Sequence, residues 1–517
     1  MTALDLIATD ATAQAEMIRS GRVAARSIIE ATLHRIERLD GSINAYRVVM
    51  AESAMATAAR IDALSDGDHA SLPLAGVPVA IKDDTDVEGQ VTAWGSKAHR
   101  GICSLDSEVV ARLRGAGAVI IGKTNVPELT LWPWTASKRW GVTRNAWAPE
   151  RTPGGSSGGS AAAVCTGMAA IALGSDGGGS VRCPAGLTGL VGVKPQRDRV
   201  PIGPEHNSGW YGLLVLGPLA RSVRDAALFL DVVSEDRESS TFRDVVIARP
   251  ERLRIAISTN PPPGTQVSLS TTGRGAVEIT SELLIGLGHD VVEVDINYGL
   301  ASLWNSTVRL LKGVRDDAAS LPDRGDLERR TRAVARLGAV LPSGSLPLAL
   351  RRERTIAASI NAVFDDARRR THSPVRITHT TGRRLPKRRS TAIAQEGERL
   401  GMAGALERDR TARHRHTCRN RPARPSHRNS ARRARRRRSD APRPGQRDRT
   451  HPPLPEMDGP VQHMTDTNVR MDSRVGSVAV ADRISRVDGA ALRAHRLCNT
   501  IVACGVSPVS EQARDRW

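Results

Sequence analysis

The sequence predicts an α/β protein with a mixed, mostly parallel central sheet covered by helices. Three stretches carry that expectation. Residues 106–125 run helix, glycine turn, strand: Val109, Val110 and Leu113 share one helical face, Gly115-Ala116-Gly117 ends it, and Ala118-Val119-Ile120-Ile121 is a short apolar run. That is the pattern of a crossover onto a parallel neighbour. Residues 253–257, 275–287 and 291–294 repeat strand, helix, strand, and residues 71–82 end in the apolar run Val77-Pro78-Val79-Ala80-Ile81 closed by Lys82.

From the N-terminus, residues 1–20 hold no basic segment followed by an apolar run, so no signal peptide is expected. No stretch approaches the roughly 18 uninterrupted apolar residues of a membrane span. Ile28, Ile29, Leu33, Ile36 and Leu39 recur at helical spacing, and 50–64 reads as a second amphipathic helix, the two packing on the sheet. Four of the eight tryptophans fall within 132–147, where they would serve as a pocket wall or as core. Residues 190–195 read as a short buried strand. Ser222 opens a helix with Asp225 three positions on, a weak capping box, and Val223, Ala226, Ala227, Leu230 and Val233 form its apolar face. The strands within 253–294 are expected to continue the same sheet, and helix-like patterns near 327–341 and 348–367 end the globular signal.

Chemistry concentrates in 154–185, GGSSGGSAAAVCTGMAAIALGSDGGGSVRCPA. Its two serine-bearing glycine loops can take positive φ and turn N–H groups outward with no Cβ in the way. Between them, 160–166 is helix-compatible and 169–173 reads as a buried strand, which puts Ser180 on a tight turn in a cradle of amide donors. Such a cradle suits acyl transfer, because fixed dipoles stabilise the oxygen that becomes negative. Serine needs a base, yet no histidine lies between His99 and His206 and there is no Gly-x-Ser-x-Gly elbow. Lys82, if desolvated at the end of a buried strand, would have a lowered pKa and a neutral amine. A Gly/Ser linker would lack the apolar periodic flanks present here. A phosphate loop would carry a Lys-Ser/Thr ending or Gly-x-Gly-x-x-Gly spacing.

These residues resemble the amidase signature family of serine hydrolases. The long pattern of small residues, ending in aspartate, a glycine pair, serine, an aliphatic residue, arginine and proline, is met from Gly154 to Ala185 with one departure, Cys165 where a smaller residue is usual. Gly122-Lys123-Thr124-Asn125 is similar to a family stretch near the site. The resemblance implies the amidase signature fold and a Ser–Ser–Lys triad: Ser180 as nucleophile, Ser156 beside a cis peptide bond as bridging serine, Lys82 as base. It also implies an oxyanion hole at Gly177, Gly178 and Gly179, with Asp176, Arg182 and Ser157 in support. The implied reaction is hydrolysis of a small-molecule amide to acid plus amine or ammonia through an acyl-enzyme, without metal or cofactor. The A subunit of a tRNA-dependent amidotransferase would use the same triad, but Gly177 stands where such subunits commonly have Thr, which favours a stand-alone amidase. A cytoplasmic location away from membranes is expected, and a homodimer is left open.

Charge divides the chain. Of the formal net charge of +20, residues 371–517 supply +18, from 32 Lys+Arg against 14 Asp+Glu, with a single lysine, Lys387. Residues 432–438 read RRARRRR, and 371–449 show almost no periodic apolar pattern. A nucleic-acid-binding tail, a solvated disordered tail and an out-of-frame translation of a GC-rich gene compete. The third is favoured, because Arg, Ala, Pro, His, Ser, Thr and Gly dominate without repetition, whereas basic tails normally carry lysine. Residues 1–370 are therefore read as an amidase domain shorter than its relatives, and 371–517 as non-globular. A sheet without its last elements exposes edge groups, so low solubility or inactivity of the 517-residue chain is expected. Cys103, Cys165, Cys183, Cys418, Cys498 and Cys504 form no Cys-x-x-Cys pair and no zinc spacing, and read as structural thiols of a reducing compartment.

Overall fold

The computed structural model describes residues 2–369 apart from 100, 207–208, 236–240, 249–250 and 263–268. The arginine-rich segment lies outside these residues. In chain order the strands are β1 (Tyr46–Val49), β2 (Pro78–Lys82), β3 (Val119–Thr124), β4 (Ala136–Ser137), β5 (Gly141–Val142), β6 (Ile171–Asp176), β7 (Val191–Gly192), β8 (Val215–Ala220), β9 (Arg254–Ile257) and β10 (Asp290–Glu293).

Six of them form a mixed sheet in the order β1-β3-β2-β6-β8-β7. Its centre, β3-β2-β6, is parallel, and β1, β8 and β7 add antiparallel edges. Every residue of β2, β3, β6 and β8 is buried, as expected of strands covered on both faces. Alternation of side chains along a strand sorts these residues between two cores. Ala80, Val119, Ile121 and Ala172 join Ile28, Ile29, Ala162 and Met168 on the face covered by helices Ala25–Ile43 and Gly158–Cys165. Val79, Ile81, Ile120, Ile171 and Leu173 join Val110, Leu113 and Phe229 on the other face, under helices Glu108–Gly115 and Val223–Val233.

Some expectations change in the structure. β9 and β10 pair with each other in a separate parallel sheet and do not extend the central one. The central sheet ends on β7, two half-buried residues rather than a buried strand, too short an edge to template another four-residue strand. Ser222 Oγ accepts from Asp225 N–H at 3.1 Å, but Asp225 does not close the capping box. Its carboxylate accepts from Ala11 N–H, Thr12 N–H and Thr12 Oγ1 at 3.1, 2.9 and 2.8 Å, docking the helix Ala11–Arg19. Among the described residues, no single helix is long and apolar enough to cross a membrane.

Candidate active site

Strand parity aims Lys82. It lies two residues beyond Ala80, on the face covered by the helix Gly158–Cys165, and the loop entering that helix carries Ser156. A register slip between Val79 and Ala80 sets Lys82 opposite Thr124 and Ile81 opposite Lys123. Thr124 therefore shares the face of Lys82, 2.8 Å from Ser160 of the same helix. Lys123 turns the other way, pairing with Asp83 at 3.1 Å and donating to Thr92 Oγ1 at 2.6 Å. The helix can come this close because Gly159 has no side chain: a Cβ there would lie 2.4 Å from Asn125 O. The Gly155–Ser156 peptide is cis.

Lys82 Nζ is fully buried and has three near neighbours: Ser156 Oγ at 2.7 Å, Ser175 Oγ at 2.7 Å and Ser175 O at 3.2 Å. Behind them, Ser175 Oγ donates to Asp84 Oδ2 at 2.5 Å, and that carboxylate lies 3.5 Å from Lys82 Nζ. Burial pulls Lys82 below the ordinary lysine value, with the Asp84 and Asp176 carboxylates opposing. For Asp84 burial works against the charged form, but Lys82, His206 and the Ser175 and Thr85 hydroxyls hold its carboxyl below the usual range.

The second loop follows β6. Burial disfavours an ionised Asp176, yet Arg182 at 3.0 Å and the N–H groups of Gly179 and Val181 hold its carboxyl well below the usual range. Ser157 N–H donates to Ser180 O at 3.2 Å and Ser157 Oγ to Ser175 O at 3.2 Å, tying the two serine loops together. Ser180 is half-buried, and among the described residues its Oγ has no hydrogen-bond partner. Gly179 N–H donates to Asp176 Oδ1 at 2.6 Å, so that donor is engaged inside the loop. Positive φ is needed at Gly154 and Gly179 alone among the glycines of the two loops. Gly155, Gly158, Gly159 and Gly177 instead provide room, since a Cβ at each would lie within 3 Å of a neighbour.

The profile of the amidase family matches residues 27–315, more than half of the chain. The chain belongs to the amidase family. A 47% identical relative, over 368 residues that make up 71% of this chain and 79% of its own length, is the Mycobacterium tuberculosis (strain ATCC 25618 / H37Rv) protein named "Putative amidase AmiB2". The 6-aminohexanoate-cyclic-dimer hydrolase of Paenarthrobacter ureafaciens is 38% identical over 297 residues, 54% of this chain and 58% of its own length. Among solved structures, 6-aminohexanoate cyclic dimer hydrolase complexed with substrate superposes with a TM-score of 0.64 at 29% identity, covering 70% of this chain and 78% of that one.

Within this amidase-family chain, Ser175 and Asp84 are site residues that sequence reasoning missed. Asp84 follows the lysine by two positions, a spacing that could have drawn attention, whereas Ser175 had no signal beyond adjoining Asp176. The tryptophans of 132–147 divide. Trp132 and Trp134 stack at 5.3 Å in a buried cluster with Trp94 and Trp210, their backbone so near Gly155 that a Cβ there would lie 2.6 Å from Trp134 N. Trp140 lies under Arg47 and Arg139, and the more exposed Trp147 donates to Thr188 O at 2.9 Å. Cys103 and Cys165 are free thiols.

Proposed function

We propose that this chain hydrolyses a carboxylic amide of a small molecule to acid plus amine or ammonia, with Ser180 as nucleophile, Ser156 as proton relay and Lys82 as base. The observation that carries the reading is the trio of oxygens around Lys82 Nζ. A neutral amine has two N–H donors and one lone pair. Ser175 O can only accept. Ser175 Oγ spends its own proton on Asp84, so it too accepts from Lys82. Both donors are then used, and the lone pair is left for Ser156 Oγ at 2.7 Å. The network therefore suits proton removal from Ser156.

As Ser180 Oγ attacks the amide carbonyl, its proton passes to Ser156 while the Ser156 proton passes to Lys82. The N–H groups of Gly177, Gly178 and Ser180 receive the oxyanion, a contribution that grows as charge develops. Return of the proton through Ser156 to the leaving nitrogen breaks the C–N bond. Water, deprotonated by the same relay, then cleaves the Ser180 ester. A lysine lowered by burial is nearer the working pH, where a general base is most effective.

Incubation of the purified 517-residue chain with a fluorophosphonate probe and with aryl amides tests this. Covalent labelling and hydrolysis, both lost in Ser180→Ala and partly kept in Ser156→Ala, are what this reading requires, and they would overturn the low solubility or inactivity that the missing last elements of the sheet lead one to expect of the 517-residue chain. Labelling that survives in Ser180→Ala would refute the nucleophile, and a chain that neither labels nor hydrolyses would favour an inactive remnant. On the same reading the site belongs to residues 1–370. The nucleotide sequence around codons 360–375 tests the origin of the segment beyond: a single-base change that restores an apolar periodic continuation is the expected finding.

A further inference from the structure

Trp210 stands between the loop at Gly177 and the helix Gly299–Ser320. Its six-membered ring occupies the room a side chain at Gly177 would need: a Cβ there would meet Trp210 Cε3 and Cζ3 at 2.8 and 2.9 Å. On the helix side, a Cβ at Gly313 would meet Trp210 Cδ1 at 2.5 Å. Gly177 is not among the glycines with positive φ, so its missing side chain is a matter of space rather than of backbone freedom. Both contacts are far inside ordinary van der Waals distance, and the two glycines form a slot around one indole.

The indole is also fixed along the slot. Trp210 Nε1–H donates to Asp317 Oδ2 at 2.9 Å, Tyr211 Oη to Asp316, and Arg309 to Tyr211 O. Gly209, Trp210, Tyr211 and Gly212 take φ of 52°, 49°, 58° and 81° in succession. Residues bearing a Cβ seldom adopt that left-handed region, and it persists where the surroundings over-determine it, most often at functional sites. Three residues after Gly212, β8 begins and sets Val215 opposite Asp176, so the strained turn leads straight into the strand beside the loop.

We propose that Trp210 is a positioning residue for hydrolysis: clasped between Gly177 and Gly313 and anchored on Asp317, it holds the Gly177 N–H where the oxyanion forms. This rests on the reading of that loop given above. The substrate is not touched by the indole in this role; the effect passes through Gly177.

The test is a double-mutant cycle in the full chain, read as kcat and KM for an aryl amide and as thermal stability. Gly177→Ala is expected to lower kcat by about 10²-fold with KM unchanged, the scale of a loop displaced by about 1 Å or of one lost oxyanion donor. Trp210→Leu, too short to reach Gly177, is expected to lower kcat similarly, and in its background Gly177→Ala should cost less than about threefold. Such coupling is not produced by general destabilisation, whose costs add. Equal kcat losses for Gly177→Ala in the two backgrounds would overturn the proposal. Should Gly177→Ala fail to fold alone, its recovery with Trp210→Leu supports the clasp and failure in both backgrounds refutes it. Labelling that persists in Ser180→Ala would instead remove the nucleophile, whatever the cycle shows.

Discussion

Replacing Asp84 by Asn tests whether the polarity around Lys82 is set from behind. Asp84 is a buried carboxylate 3.5 Å from Lys82 Nζ and the acceptor of the Ser175 hydroxyl at 2.5 Å. Its negative charge favours the ammonium form, in opposition to burial, so its loss lowers the Lys82 pKa further. Coulomb's law at this separation with an effective dielectric constant of ~20 sets a ceiling of about 5 kcal/mol. Reorientation of the neighbouring hydroxyls absorbs part of that, and about one to two pH units is expected, each worth ~1.4 kcal/mol. The ascending limb of kcat/KM against pH, which reports the free enzyme, should therefore move to lower pH. The plateau should fall by about 10²-fold, the lower end of a general base's contribution. An Asn amide can donate to Ser175 Oγ, which then donates to the Lys82 lone pair and turns that lone pair away from Ser156. Initial rates on an aryl amide, followed by release of the arylamine between about pH 5 and 10, give both quantities. A limb that stays in place or moves to higher pH would refute the placement of the charge.

Arg182→Leu should cost about 2 kcal/mol in urea unfolding at neutral pH, less than a fully buried broken pair because the guanidinium is about one third exposed. Asp176 has a folded pKa below its unfolded value, so its contribution is present above ~pH 4 and is lost as pH falls through the folded pKa. The variant's deficit should accordingly be full above ~pH 4 and narrow towards pH ~2, and a deficit that widens in acid would contradict the sign. Phe229→Ala, at a fully buried position between the sheet and its covering helices, should lower stability by about 3–5 kcal/mol. An unchanged urea slope is expected alongside that loss, and a loss under 1 kcal/mol would mean that the site repacks.

By itself the sequence determined the apolar runs of β2, β3 and β6, the helix between the two glycine loops, the glycine loops themselves and the concentration of charge in residues 371–517. Those features depend on periodicity and turn chemistry within a few residues. The contacts that give the site its direction belong to the tertiary structure, because they join residues far apart through strand register. Ser175 reaches Asp84 across 91 positions and Lys82 reaches Ser156 across 74. A one-residue slip beside Ala80 decides that Thr124 and not Lys123 faces the lysine. The occupied N–H of Gly179 and the indole seated on Gly177 were likewise invisible in the string GGGS. A glycine in a sequence permits many arrangements, and only the packed neighbour decides whether it supplies conformational freedom, a committed donor or empty space.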